Sequence, residues 1–188
     1  MGLYTWDELK YFVEHCNRCD LCRERRNPVM GRGDLNSRIM LIAEAPGRME
    51  DEKGIPFVGR SGEILDELLK SVSLSRDEIY ITNINKCHPP GNRDPEEAEQ
   101  QACMPFLKYE TALIRPKIMV CLGRIAARKV IATGFRISRE HGTWIERKGF
   151  FLTAVYHPSA LLRDPSKVEE TRRDFQEIKR KLVELSQF

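Results

Sequence analysis

Cys16 and Cys19 form a C-x-x-C pair near the start of the chain, and Cys87 and Cys103 follow far downstream. Thiolates two intervening residues apart can bite one metal centre. Two more from a distant segment would complete a Cys₄ set for zinc or an iron–sulfur cluster. Such a set would tie the beginning of the chain to its middle without having to do any chemistry. Cys22 makes a second C-x-x-C with Cys19, so spacing alone leaves the choice among these three thiols open. Cys121 lies in the apolar run Lys117-Ile-Met-Val-Cys-Leu122, where a small buried residue suits a strand.

A second group of residues carries acid–base and recognition chemistry. Asn83 and Asn85 each offer a carboxamide, a donor beside an acceptor, which matches the edge of a nucleobase or of another amide. The two share a face if their strand continues, so alternation does not choose between them, and an asparagine that merely ends a strand would look the same. His157 can donate one hydrogen bond while neutral and so stabilise negative charge on a leaving group. Glu44 could orient water or stabilise a cationic sugar, although a loop carboxylate is more often solvated. Phe57 could stack on a flat ring, although an aromatic beside proline and valine is more often core.

These residues need a scaffold that gathers them. Four short apolar runs, Ile39–Ala43, Ile79–Thr82, Ile118–Leu122 and Phe151–Tyr156, read as buried strands. Helical stretches lie between them. Thr5-Trp-Asp-Glu8 is a capping box, Ile64, Leu65, Leu68, Leu69 and Val72 form an apolar stripe, and Asp94-Pro95-Glu96-Glu97 offers a cap and a first-turn proline to a helix reaching about Leu113. Val168, Phe175, Ile178, Leu182 and Leu185 recur near the helical period at the end of the chain. The alternation of strand and helix predicts an α/β fold, a three-layer α/β/α sandwich around a central four-stranded parallel sheet. In such sheets a ligand binds beyond the carboxyl ends of the strands. Glu44, Asn83, Gly123 and His157 each follow or end a predicted strand, so one rim would receive them all.

Composition narrows the class. A length of 188 residues fits one domain with a continuous core, and 31% charged residues with no long apolar run argue against a membrane span. Met1–Lys10 shows neither a basic leader nor an apolar signal core, so an intracellular location is expected, where six cysteines serve better as ligands or buried thiols than as disulfides. A net charge of +3 is too mild to announce nucleic-acid binding. The run Lys179-Arg180-Lys181 reads as a solvated helix face.

Taken together, Ala43-Glu-Ala-Pro-Gly47, Pro56-Phe-Val-Gly-Arg60, Ile81-Thr-Asn-Ile-Asn-Lys-Cys-His-Pro-Pro-Gly-Asn-Arg93 and His157-Pro-Ser-Ala-Leu161 resemble the uracil-DNA glycosylase superfamily, specifically its iron–sulfur family 4. The resemblance runs from the cysteine pair to about Arg163. It implies a single glycosylase domain over residues 1–188, with a [4Fe–4S] cluster on Cys16, Cys19, Cys87 and Cys103 joining the N-terminal segment to the 87–103 segment. It implies catalytic roles for Glu44 and His157, uracil contacts from Ala45, Gly47, Phe57 and Asn83, and DNA contacts from Ser159, Leu161 and Arg163, with Leu161 as the apolar wedge. The implied activity is monofunctional excision of uracil from single- and double-stranded DNA by base flipping and N-glycosidic hydrolysis, the first step in base excision repair of deaminated cytosine. A monomer associated with the nucleoid in the cytoplasm is expected, with no membrane partner and with a sliding clamp as a candidate partner. Two other readings share many of these residues: a metal-stapled nucleic-acid-binding module without catalysis, and a glycosylase for another deaminated base.

Overall fold

The computed structural model describes residues 4–186. Any clamp-binding peptide formed by the extreme termini lies partly outside them. In chain order the elements are α1 (Trp6–Glu14), β1 (Arg32–Gly33), β2 (Ile39–Ala43), α2 (Arg48–Lys53), α3 (Arg60–Ser71), β3 (Tyr80–Asn83), α4 (Glu97–Ile114), β4 (Ile118–Leu122), α5 (Arg124–Val130), α6 (Ile137–Glu140), β5 (Ile145–Arg147), β6 (Phe150–Val155), α7 (Pro158–Arg163) and α8 (Val168–Ser186).

The sheet has six strands in the order β1-β3-β2-β4-β6-β5, not the four expected. The four apolar runs do form its parallel centre, and the two additions are antiparallel edges. Neither edge strand announces itself by hydrophobicity. β1 is two residues long and exposed, and β5 is joined to β6 by a tight hairpin in which Lys148 and Gly149 both take positive φ, 47° and 83°. Two consecutive left-handed residues match the turn whose twist suits paired strands.

Both faces of the central strands are covered. Along β2, Ile39, Leu41 and Ala43 pack towards α3 and α8, while Met40 and Ile42 pack towards α4 and α5. This period-2 division is the pleat expressed as two cores. Cys121 is fully buried in the second core, as its apolar run suggested. α1 begins at the expected box, with Thr5 and Glu8 capping reciprocally. α4 begins later than expected. Its N-cap is Glu96, because Asp94 is held by Arg124 at 2.8 Å and the Pro95 carbonyl accepts from Gln100 Nε2.

Lys86 and Glu110 form an ion pair of 2.6 Å with both side chains essentially inaccessible. Glu110 also accepts from Gly31 N, Tyr80 Oη and Thr82 Oγ1, and Lys86 Nζ donates to Thr82 Oγ1 and the Asn83 carbonyl. A buried pair is tolerated only when its remaining donors and acceptors are matched in this way. The network fixes the end of β3, where the chain passes from Asn83 to Cys87.

Candidate active site and cysteine cavity

The parallel strands deliver their carboxyl ends to one side, and a cleft of about 780 Å³ opens there. Glu44, Phe57, Asn83 and His157 all line it, as do Ala45, Gly47, Ser159 and Arg163. Gly123 follows β4 with φ 90°, and a Cβ on it would stand 2.8 Å from the His157 Cβ. A glycine is therefore required for the β4 and β6 loops to approach each other.

His157 caps α7. Ser159 N donates to its Nδ1 at 3.1 Å, and Ser159 Oγ lies 2.8 Å from the same atom. A ring nitrogen that accepts an amide proton carries none of its own, so the single proton of the neutral ring sits on Nε2. Burial, aided by the Arg163 cation, pushes His157 down to about 4, so the ring stays neutral at physiological pH. Glu44 moves the other way. Burial and the Asp94 carboxylate push it up to about 7, with Arg124 and Arg163 opposing.

Phe57 adopts φ 55°, uncommon for a residue with a side chain, and its ring centroid lies 5.8 Å from that of His157. The surroundings hold it there. Its carbonyl accepts from Arg76 Nη2 at 2.8 Å, Glu50 Oε1 accepts from the next two amides, and a Cβ on Gly62 would lie 2.0 Å from the Phe57 oxygen. Strain of this kind, fixed from several sides, is a mark of functional positions. Glu50 and Arg76 carried no signal in the sequence beyond their charge.

Leu161 is 3% exposed and packs in the core with α3 residues, because α7 lies against α3. The exposed leucine of α7 is Leu162, at 41%. Asn83 and Asn85 would share a face only if the strand ran on past Asn83, and it does not. β3 ends at Asn83, which lines the cleft, and Asn85 lines a separate cavity.

That second cavity is bounded by Cys16, Cys19, Cys22, Cys87 and Cys103. Two N–H groups already point at sulfur: Arg25 Nη1 donates to Cys87 Sγ at 3.1 Å and Lys86 N to Cys103 Sγ at 3.2 Å. Burial pushes the Cys103 thiol up to about 12, so a thiolate there needs a bound cation to be stable. Among the described residues no three cysteine, histidine or carboxylate groups gather closely enough for a single metal ion. Arg25, in the basic run after the cysteines, was not singled out for this contact; the partner lies 62 residues away.

The model of the family described as "Uracil DNA glycosylase superfamily" matches residues 30–183. The chain belongs to the uracil-DNA glycosylase superfamily. Among superfamily members, it is 41% identical to a type-4 uracil-DNA glycosylase of Archaeoglobus fulgidus, over 92% of this chain and 90% of that one. It is 39% identical to a type-4 uracil-DNA glycosylase of Thermotoga maritima, over 87% and 88%. Similarity extends more weakly to a type-5 uracil-DNA glycosylase of Pyrobaculum aerophilum, 35% identical over 71% of this chain and 66% of that one. Among the described residues no helix is long and apolar enough to cross a membrane. The superfamily's α/β fold agrees with the layered sheet described above.

Proposed function

We propose that this chain is a monofunctional uracil-DNA glycosylase, one domain over residues 1–188, that hydrolyses the N-glycosidic bond of deoxyuridine in single- and double-stranded DNA. The observation that carries the reading is the single cleft holding Glu44, Phe57, Asn83 and a neutral His157 whose one ring proton is on Nε2. A binding module without catalysis has no use for that combination.

A uracil stacked in a duplex is out of reach, so the nucleotide must turn out into the cleft. Phe57 would stack on the extruded base and Asn83 would pair with its edge, with Ala45 and Gly47 closing the wall beside it. Cytosine presents an amino donor where uracil presents a carbonyl, so a fixed carboxamide pairs badly with it. As the bond to C1′ breaks, positive charge grows on the sugar and negative charge on the base. His157 Nε2–H would donate to the departing uracil oxygen, and the Glu44 carboxylate would face the sugar cation and hold the attacking water. Ser159 keeps the imidazole in the required tautomer, and Arg163 offers a cation to the DNA backbone.

Cys16, Cys19, Cys87 and Cys103 would hold a [4Fe–4S] cluster, with Cys22 in the same cavity. Its contribution is structural: it cross-links the segment after α1 to the β3–α4 connection and to α4 itself. Intracellular repair of deaminated cytosine, as a monomer near the nucleoid, fits this activity. A sliding clamp remains a candidate partner.

Release of free uracil from single-stranded and duplex oligonucleotides is the direct test, with hypoxanthine and thymine opposite guanine alongside. Uracil release without strand cleavage is expected; no release from either uracil substrate overturns the assignment. The rate should also depend on pH in one direction. Glu44 acts as an anion, so single-turnover excision should rise as pH increases through about 7 and then level off. His157, neutral from about 4 upward, adds no further limb in that range. Glu44→Gln should flatten the profile; an unchanged rise in that variant would assign the titration to another group.

A further inference from the structure

Asn85 is 1% exposed, and among the described residues neither its Oδ1 nor its Nδ2 has a hydrogen-bond partner. A buried amide left unsatisfied on both atoms destabilises the fold and calls for an explanation. Its position suggests one. The Asn85 backbone amide donates to the Glu44 carbonyl at 2.9 Å, which pins the residue, and its side chain lines the cavity of the cysteines. Arg25 and the Lys86 amide already aim donors at sulfur there.

We infer that the Asn85 carboxamide donates an N–H···S hydrogen bond to the iron–sulfur centre and raises its reduction potential. The inference rests on the cluster reading given above. Thiolates and sulfides are acceptors only, so Nδ2 is the atom that can face them, and a half-turn of the amide exchanges its two ends at no cost in shape. A donor stabilises the more negative, reduced form of a cluster more than the oxidised form, and hydrogen bonds to sulfur are among the factors that set cluster potentials. The side chain would therefore tune the centre from outside the set of ligands.

The test uses the intact protein purified without oxygen, together with Asn85→Leu, which keeps the size and removes both polar atoms, and Asn85→Asp, which removes the donor. Iron and acid-labile sulfide are measured first; a wild-type protein lacking both ends the cluster reading and this inference with it. With the cluster present, both variants should retain it and show a lower midpoint potential. The ratio of reduced to oxidised centre at fixed potential should fall about tenfold, or about 59 mV for a one-electron couple. The shift of the Fe–S stretching bands on transfer to D₂O should shrink in Asn85→Leu, a change that altered polarity alone does not produce. An unchanged potential, or an undiminished isotope shift, overturns the inference and leaves the cluster standing. Failure of both variants to assemble a cluster overturns it too, since one hydrogen bond cannot decide whether a four-thiolate site forms.

Discussion

His157→Ala is expected to lower single-turnover uracil excision by roughly a hundred- to a thousandfold, the usual cost of removing one preorganised donor from a developing anion. Three features make the effect large. The ring is neutral without any adjustment of pH, its proton is confined to Nε2 by the Ser159 amide, and its position is fixed by α7 and by the close approach of Gly123. The donor therefore needs no reorganisation as the bond breaks. Asn83→Ala should lose a similar factor by a different route. It leaves the cleft without its pairing edge, so the loss should include discrimination between uracil and cytosine as well as rate. Both variants should still fold, His157→Ala losing about 0.5–2 kcal/mol with the cap of α7. Wild-type turnover in either variant would remove that residue from the mechanism.

The largest effect on stability is expected from Glu110→Ala. The carboxylate holds Lys86 and three further donors in a site without solvent access. Its removal strands an ammonium group in the interior, at a cost of about 3–5 kcal/mol. That is a large share of the roughly 5–15 kcal/mol that stabilises a typical domain. Chemical denaturation should show the midpoint falling while the slope stays the same. Lys86→Met combined with Glu110→Gln should lose less than the sum of its two single changes, since the pair is then removed without stranding a charge. Additive losses in that cycle would mean that the two groups are not energetically coupled.

The parallel centre of the fold was legible because β2, β3, β4 and β6 are apolar runs whose burial alone defines them; their observed limits differ from the sequence reading by no more than a residue or so. The edges were not, since β1 and β5 exist through pairing with β3 and β6 and bury little themselves. At the cleft, strand ends announced Glu44, Asn83 and His157 as neighbours. The division of labour between Asn83 and Asn85 depended on where β3 stops, which alternation cannot tell. The burial of Leu161 was hidden for a similar reason. It follows from the packing of α7 against α3, a tertiary fact with no local sign. Arg25 and the Lys86–Glu110 network were hidden because each joins residues far apart in the chain.

The two short outer strands have a consequence for how copies of this protein meet. An unpaired sheet margin is a template on which another chain can add, and such growth leads to fibrils. Here one margin offers only Arg32 and Gly33, and the other ends in the exposed pair Glu146 and Arg147. Neither presents a long, flat, greasy ladder. Association by continuing the sheet from one molecule into the next is thus disfavoured, and a partner has to dock on helices or loops instead.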